Sequence, residues 1–195
     1  MSAQSYRGPL RGEPLAIELH NTCYASGGEP LDGLADPASA AAWLHAVRDR
    51  LPRGGTGREP TAEELIALRR VVRDVLHATI EHRVPARSSI DTLNRAAARA
   101  PRSPAARWQR NRPPLPDVRF HRARRADILL SAIAADAIDL ITGPARDKLQ
   151  ACGAPGCVLV FLKRHPRREW CSATCGNRAR QARHYRRTHR TDAGR

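Results

Sequence analysis

Apolar positions along this chain change period several times, and each change marks an element. Leu15-Ala16-Ile17-Glu18-Leu19 alternates apolar and mixed residues and runs into His20-Asn21-Thr22, which predicts a strand from Pro14 to Cys23. Asp36-Pro37 reads as a helix start, with aspartate at the cap and proline in the first turn, and Trp43, Leu44, Val47 and Leu51 follow on one face. Gly54-Gly55-Thr56-Gly57 breaks that pattern. It lacks the Gly-Lys-Ser/Thr ending of a phosphate-binding loop and reads as a flexible linker. Thr61 and Glu64 form a capping box ahead of Leu65, Leu68, Val72, Val75, Leu76 and Ile80, which repeat at helical spacing until the break before Pro85. A shorter helix begins near Ser88 and turns Ile90, Leu93 and Ala97 inward before Pro101. Two alternating segments, Ala106 to Arg110 and Asp117 to Arg122, read as a hairpin with Val118 and Phe120 on one face and Arg119 and His121 on the other. A last apolar helix, Ala126 to Thr142, carries Leu129, Ile133, Ala137, Leu140 and Ile141 and ends at Gly143-Pro144.

Beyond Pro144 the composition changes, so the chain divides into a mainly helical α+β domain with a small sheet, residues 1–145, and a C-terminal module, residues 146–195. In that module four residues separate Cys152 from Cys157 and three separate Cys171 from Cys175. Two short bites held roughly a dozen residues apart are the spacing of a four-thiolate zinc site. The β-prone run Val158 to Leu162, a turn at Arg164-His165-Pro166-Arg167, and a helix whose first turn holds the second pair predict a treble-clef-like finger. Structural Zn2+ suits so short a segment, whose large apolar residues are chiefly Leu159, Phe161, Leu162 and Trp170. Four thiolates close the coordination shell, whereas a catalytic zinc needs an open position. Two disulfides or free thiols are the alternatives, and His165 joins the ligands only if a cysteine is displaced. Cys23 reads as a small buried apolar residue.

Charge sharpens this picture. The 195 residues carry a formal +15 with a pI near 11.2. Thirteen Lys and Arg against three acids between Arg146 and Arg195 place +10 of it in the last quarter. A GC-rich coding background accounts for arginine in general but not for this clustering. On a helix, Arg180, Arg183, Arg187 and Arg190 fall within a sector of roughly 80°, with Arg178 and Tyr185 towards another side. Arg178, Arg180, Arg183, Arg186, Arg187 and Arg190 are the candidate nucleic-acid contacts, the stripe suited to phosphates and one or two of its residues to guanine edges in a major groove. The competing reading is a solvated terminal helix. No N-terminal apolar stretch suits a signal peptide and no run approaches a membrane span, which predicts a cytoplasmic protein with reduced thiols and no membrane partner.

Trp170-Cys171-Ser172 and Cys175-Gly176-Asn177-Arg178 closely resemble the CGNR zinc finger family. Leu15 to Thr22, the Leu34-Ala35-Asp36-Pro37 turn before Trp43-Leu44, the Leu68-Arg69 helix and Leu93-Asn94 resemble the ABATE domain, found with such fingers in bacterial proteins regarded as stress-induced transcription regulators. His20 departs from the aliphatic residue expected in that opening strand. The resemblance implies zinc binding and DNA binding.

The leading expectation is therefore a zinc-dependent regulator that binds double-stranded DNA, its first domain sensing a signal or forming a homodimer. An RNA-binding module and a thiol-based redox or zinc sensor are the alternatives. An enzyme is not expected. His20, Asn21, Asp32 and Asp36 lie close in sequence and Asp127, Asp136 and Asp139 share a helix, but no nucleophile and base have recognisable spacing. Arg69 and Asn94 are either buried hydrogen-bonding partners or the lining of a pocket for a small-molecule effector.

Overall fold

The computed structural model describes residues 5–192, and the side chains of the last helix as far as Thr188. At its centre lies α1 (Leu15–His20), a six-residue helix in which every residue is buried. The segment expected to be a strand is thus helical. A helix enclosed on all sides has no polar stripe, so its 3.6-residue period vanishes and a short apolar run imitates a strand. Its N-terminus has no cap of its own, and Asp136 supplies one from a distant helix by accepting the Ala16 N–H at 2.8 Å. Glu18, also buried, accepts the N–H groups of Arg11 and Glu13 at 3.0 and 2.8 Å and holds the incoming chain against α1.

The other helices surround this rod. The capped helix α2 (Pro37–Ala46) packs on α3 (Ala62–Ile80), where Thr61 and Glu64 form the expected reciprocal capping box. The helices α3 and α5 (Arg125–Thr142) flank α1, and α4 (Arg87–Ala97) lies against both. Ile17, Leu19, Trp43, Leu65, Leu76, Leu129 and Ile133 are wholly enclosed in one core. Truncating any of the aliphatic members to alanine costs about 2–5 kcal/mol.

Between α1 and α2 runs a hairpin that the apolar pattern does not predict, β1 (Cys23–Ser26) paired with β2 (Glu29–Asp32). Gly27 and Gly28 connect them with φ of 62° and 94°, a turn that tolerates little but glycine. Cys23 is half-buried at its start, and burial pushes its thiol up. The hairpin delivers Asp32 to Arg69, whose guanidinium grips both carboxylate oxygens, at 2.5 and 2.7 Å, and the Thr22 hydroxyl at 2.9 Å. Arg69 is therefore a buried hydrogen-bonding partner, whereas Asn94 is exposed.

Two further expectations need correction. The Gly54–Gly57 segment is pinned rather than flexible: Thr56 O accepts the Arg125 N–H at 2.9 Å, and Gly55 passes so close to Ile128 that a Cβ there meets its Cδ1 at 2.8 Å. The second hairpin pairs β3 (Arg102–Arg107) with β4 (Leu115–Phe120), so its first strand begins four residues before Ala106. Trp108, Arg110 and the left-handed Asn111 form its tip, and the pairing of Arg102 with Phe120 sets the register.

After a 3-10 turn at Arg146–Lys148, β5 (Leu149–Ala151) pairs with β6 (Val160–Leu162), and α6 (Ala173–Asp192) ends the described chain. Leu149, Val160 and Leu162 belong to the same core as α1, so the C-terminal module is packed into the helical body. The free edge of β6 is closed by side chains. Asn21 donates to Val160 O and accepts from Val160 N, both at 2.9 Å, and Glu13 accepts from Leu162 N at 3.3 Å.

His20, the departure from an aliphatic residue, orients that amide. Its Nδ1 lies 3.1 Å from Asn21 Oδ1 and its Nε2 3.2 Å from His77 Nε2. Burial pushes the His20 pKa down to about 4, so the ring is neutral, an Nδ1–H donor to Asn21 and an acceptor from His77.

Two expected outcomes test this arrangement. Asn21→Ala strips two buried backbone groups of their partner and should cost about 3 kcal/mol in urea unfolding. His20 has a folded pKa below the ordinary value of about 6.5, so its contribution is fully present above that pH and is lost as pH falls towards 4. The difference in stability between wild type and His20→Gln should shrink by about 3 kcal/mol over that window; a difference independent of pH contradicts the buried neutral ring.

Candidate metal centre and nucleic-acid interface

Three local structures bring the four cysteines together. Cys152 follows β5 and donates its N–H to Leu159 O at 2.8 Å, while Cys157 donates to Ala154 O at 3.0 Å, and Gly156 makes the tight turn between them with φ of 69°. Cys171 lies two residues before the helix start, and its N–H points at Cys152 Sγ at 3.5 Å. Cys175 lies in the first turn of α6, where its N–H meets the Ser172 hydroxyl at 3.2 Å. The second pair thus straddles the helix start.

All four sulfurs lie within 4.8 Å of one another. Cys157 and Cys171 are 3.8 Å apart and Cys171 and Cys175 3.4 Å, against the roughly 3.8 Å that tetrahedral Zn–S bonds of about 2.3 Å require. Without a cation, sulfurs this close share protons: hydrogen bonds from Cys157 and Cys171 hold Cys152 low, while those to Cys152 and Cys157 hold Cys171 far above the ordinary thiol range. A divalent ion lets all four ionise together. The donor set fits structural Zn2+, and none of the five cysteines is joined in a disulfide. His165 lies exposed in the turn, where its Nδ1 accepts the Arg167 N–H at 3.1 Å, and takes no place in the cluster.

Each residue of Cys175-Gly176-Asn177-Arg178 has a distinct physical task. Cys175 is a ligand. Gly176 lies beneath the Trp170 indole, so that a Cβ meets Trp170 Cδ1 at 2.9 Å. Asn177 accepts a hydrogen bond from the Arg180 guanidinium. Arg178 donates to Cys175 Sγ at 3.4 Å, a positive partner for a ligand sulfur. Leu159, Phe161 and Ala179 complete a small second core with the cysteines, and Tyr24 packs against it from β1.

Arg168 ties this centre to the body, a role hidden in the sequence among the neighbouring Arg164 and Arg167. Its guanidinium stacks 4.7 Å over the Phe161 ring and donates to Glu13 Oε1 at 2.7 Å, Leu162 O at 3.0 Å and Cys171 O at 3.2 Å. Glu13 is almost wholly buried, so this ion pair is shielded from water. Asn21 and Glu13 are equally invisible in the sequence, because nothing local distinguishes a buried polar residue from an exposed one.

Along α6, Ala179 is buried and every residue from Arg183 to Thr188 is exposed, so the helix leaves the body after two turns. Arg180, Arg183 and Arg187 share one side and Arg186 turns its Nε towards Ala182 O at 3.3 Å. Arg190 lies on the same helix, its side chain outside the described residues. Tyr185 is also exposed. Among the described residues no helix is long and apolar enough to cross a membrane.

The fold and the cysteine quartet define a helical α+β body fused to a four-cysteine zinc finger. Residues 13–144 match the ABATE family model, described as "Putative stress-induced transcription regulator", and residues 148–188 match the CGNR zinc finger. The chain belongs to the ABATE family and carries a CGNR finger at its C-terminal end. A search of curated proteins finds no match.

Zinc retention should separate the roles within the motif. In competition with a chromophoric chelator, Cys175→Ser should release the metal, and Arg178→Met and Gly176→Ala should each weaken binding about tenfold. Unchanged affinity in both latter variants contradicts the roles given to Arg178 and Trp170.

Proposed function

We propose that this protein is a zinc-dependent transcription regulator that binds double-stranded DNA in the cytoplasm and responds to stress. Residues 146–195 grip the DNA, and residues 1–145 sense a signal or pair two copies. The observation that carries this reading is the projection of α6 from the cysteine quartet, with exposed arginines on one side and no acidic residue between Ala173 and Thr191.

An α-helix of about 10–12 Å diameter matches a major groove about 12 Å wide. Arginines along such a helix reach phosphates on its flanks, and one or two reach guanine edges. Zinc fixes the first turn through Cys175 and so sets the direction in which the rest of the helix leaves. Four thiolates leave the metal no open position, which speaks against catalysis at this centre. The buried Glu13, Glu18 and Arg69 and the half-buried Asp136 are all engaged in internal hydrogen bonds that build the fold.

Zinc-loaded protein should retard duplex DNA in a gel, with affinity falling steeply as salt rises. Arg183→Glu together with Arg187→Glu should lower that affinity by at least about tenfold while zinc content stays constant. Absence of duplex binding by the loaded protein sinks the proposal, and preferential competition by structured RNA reassigns the module to RNA.

A further inference from the structure

The β3–β4 hairpin is the largest feature of the molecule that the zinc centre does not explain. Beyond their mutual pairing, neither strand packs appreciably on another element, so the ribbon stands out from the body. It carries Arg102, Arg107, Arg110, Arg112, Arg119 and Arg122, all exposed. None of these guanidiniums meets an acidic partner among the described residues. The only acid between Pro101 and Arg124 is Asp117, and its carboxylate accepts the N–H of its own neighbour Val118 at 2.9 Å. Six like charges on one short hairpin and its flanks repel one another, and among the described residues no ion pair offsets that repulsion.

The tip adds an aromatic. Trp108 is 76% exposed, while Leu115 and Val118 are 40% and 44% exposed along the strands. The tip is nonetheless shaped: Asn111 takes a left-handed φ of 62° and the Arg112 N–H closes onto Gln109 O at 3.2 Å. An open ribbon of this kind invites a second copy to add a strand, but Pro104 and Pro116 interrupt it, one in each strand. The charge speaks against self-pairing as well. A polyanion is the partner that satisfies uncompensated arginines, and a two-stranded ribbon is of a size that a DNA groove admits.

We infer that the β3–β4 ribbon is a second duplex-DNA contact, its arginines on phosphates and Trp108 at its tip against a base or sugar. This rests on the DNA-binding reading of α6 and adds to it a separate surface from the other segment of the chain. The protein then holds DNA at two places, only one of which depends directly on zinc.

The test uses the full zinc-loaded chain and a fluorescein-labelled random-sequence duplex, read by anisotropy across a salt series. The ribbon variant combines Arg107→Gln, Arg110→Gln and Arg112→Gln; the helix variant combines Arg183→Glu and Arg187→Glu. The ribbon variant should bind at least about tenfold more weakly, and its log-affinity against log-salt slope should be shallower by up to about 2.7, about 0.9 for each phosphate no longer neutralised. Wild-type tryptophan emission should fall on adding duplex, and that quench should be absent in Trp108→Phe, a readout that needs no change of charge. If the ribbon variant keeps wild-type affinity and slope while the helix variant loses binding, the inference is overturned and the α6 reading stands. If wild-type protein binds no duplex, both fall together. If the ribbon variant loses binding to structured RNA but not to duplex, the ribbon is an RNA contact and this inference is wrong.

Discussion

The outer edge of β6 sets the conditions for everything around it. Val160 and Leu162 bury their side chains in the main core, which takes their outward-facing backbone N–H and C=O groups out of water as well. Each such group left unpaired costs about 1–3 kcal/mol. Among the described residues no third strand meets them. Asn21 does so for Val160, presenting an amide that imitates a neighbouring strand, while Glu13 and Arg168 serve the N–H and C=O of Leu162. The three side chains come from both segments of the chain, and so the helical body and the finger share one solution to one hydrogen-bonding problem.

That solution also steadies the metal site. Arg168 touches Glu13, the Leu162 carbonyl, the Phe161 ring and the Cys171 carbonyl, which makes it a rivet between the buried acid and a zinc ligand. Elsewhere around the cluster Arg178 faces the Cys175 sulfur and Trp170 covers Gly176. The zinc and its four thiolates sum to a formal charge of −2, which positive neighbours and the start of a helix both favour. The apolar cluster of Leu159, Phe161 and Ala179 beside the cysteines is small. Metal, rivet and edge closure together give α6 a rigid base.

Features that depend on neighbours in sequence are readable from sequence. The cysteine spacing, the Asp36 cap, the Thr61–Glu64 capping box and the stripe of α3 are set by local chemistry, and all are present. Features that depend on distant partners are not. α1 looks like a strand because its polar surface is absent, and the cap that makes it a helix comes from Asp136, 120 residues away. Asn21, Glu13 and Arg168 gain their meaning only from the backbone they meet. The Gly27-Gly28 turn does carry a local signal, two adjacent glycines, but Glu29-Pro30-Leu31-Asp32 after it is poor in strand formers and the apolar segment before it dominates the pattern. The ribbon's first strand starts earlier than expected because alternation marks a strand's faces but not its ends.

The interlocking of Asn21 with β6 bears on how such a finger travels between genes. Cut at residue 146, the module would carry away Leu149, Val160 and Leu162 as an uncovered apolar face, above an edge strand open to pairing. Recombination that places it behind a new partner must also supply a carboxylate and an amide at the matching positions. The covering of the finger's apolar face and the closing of its edge strand are thus both supplied by the segment that precedes it.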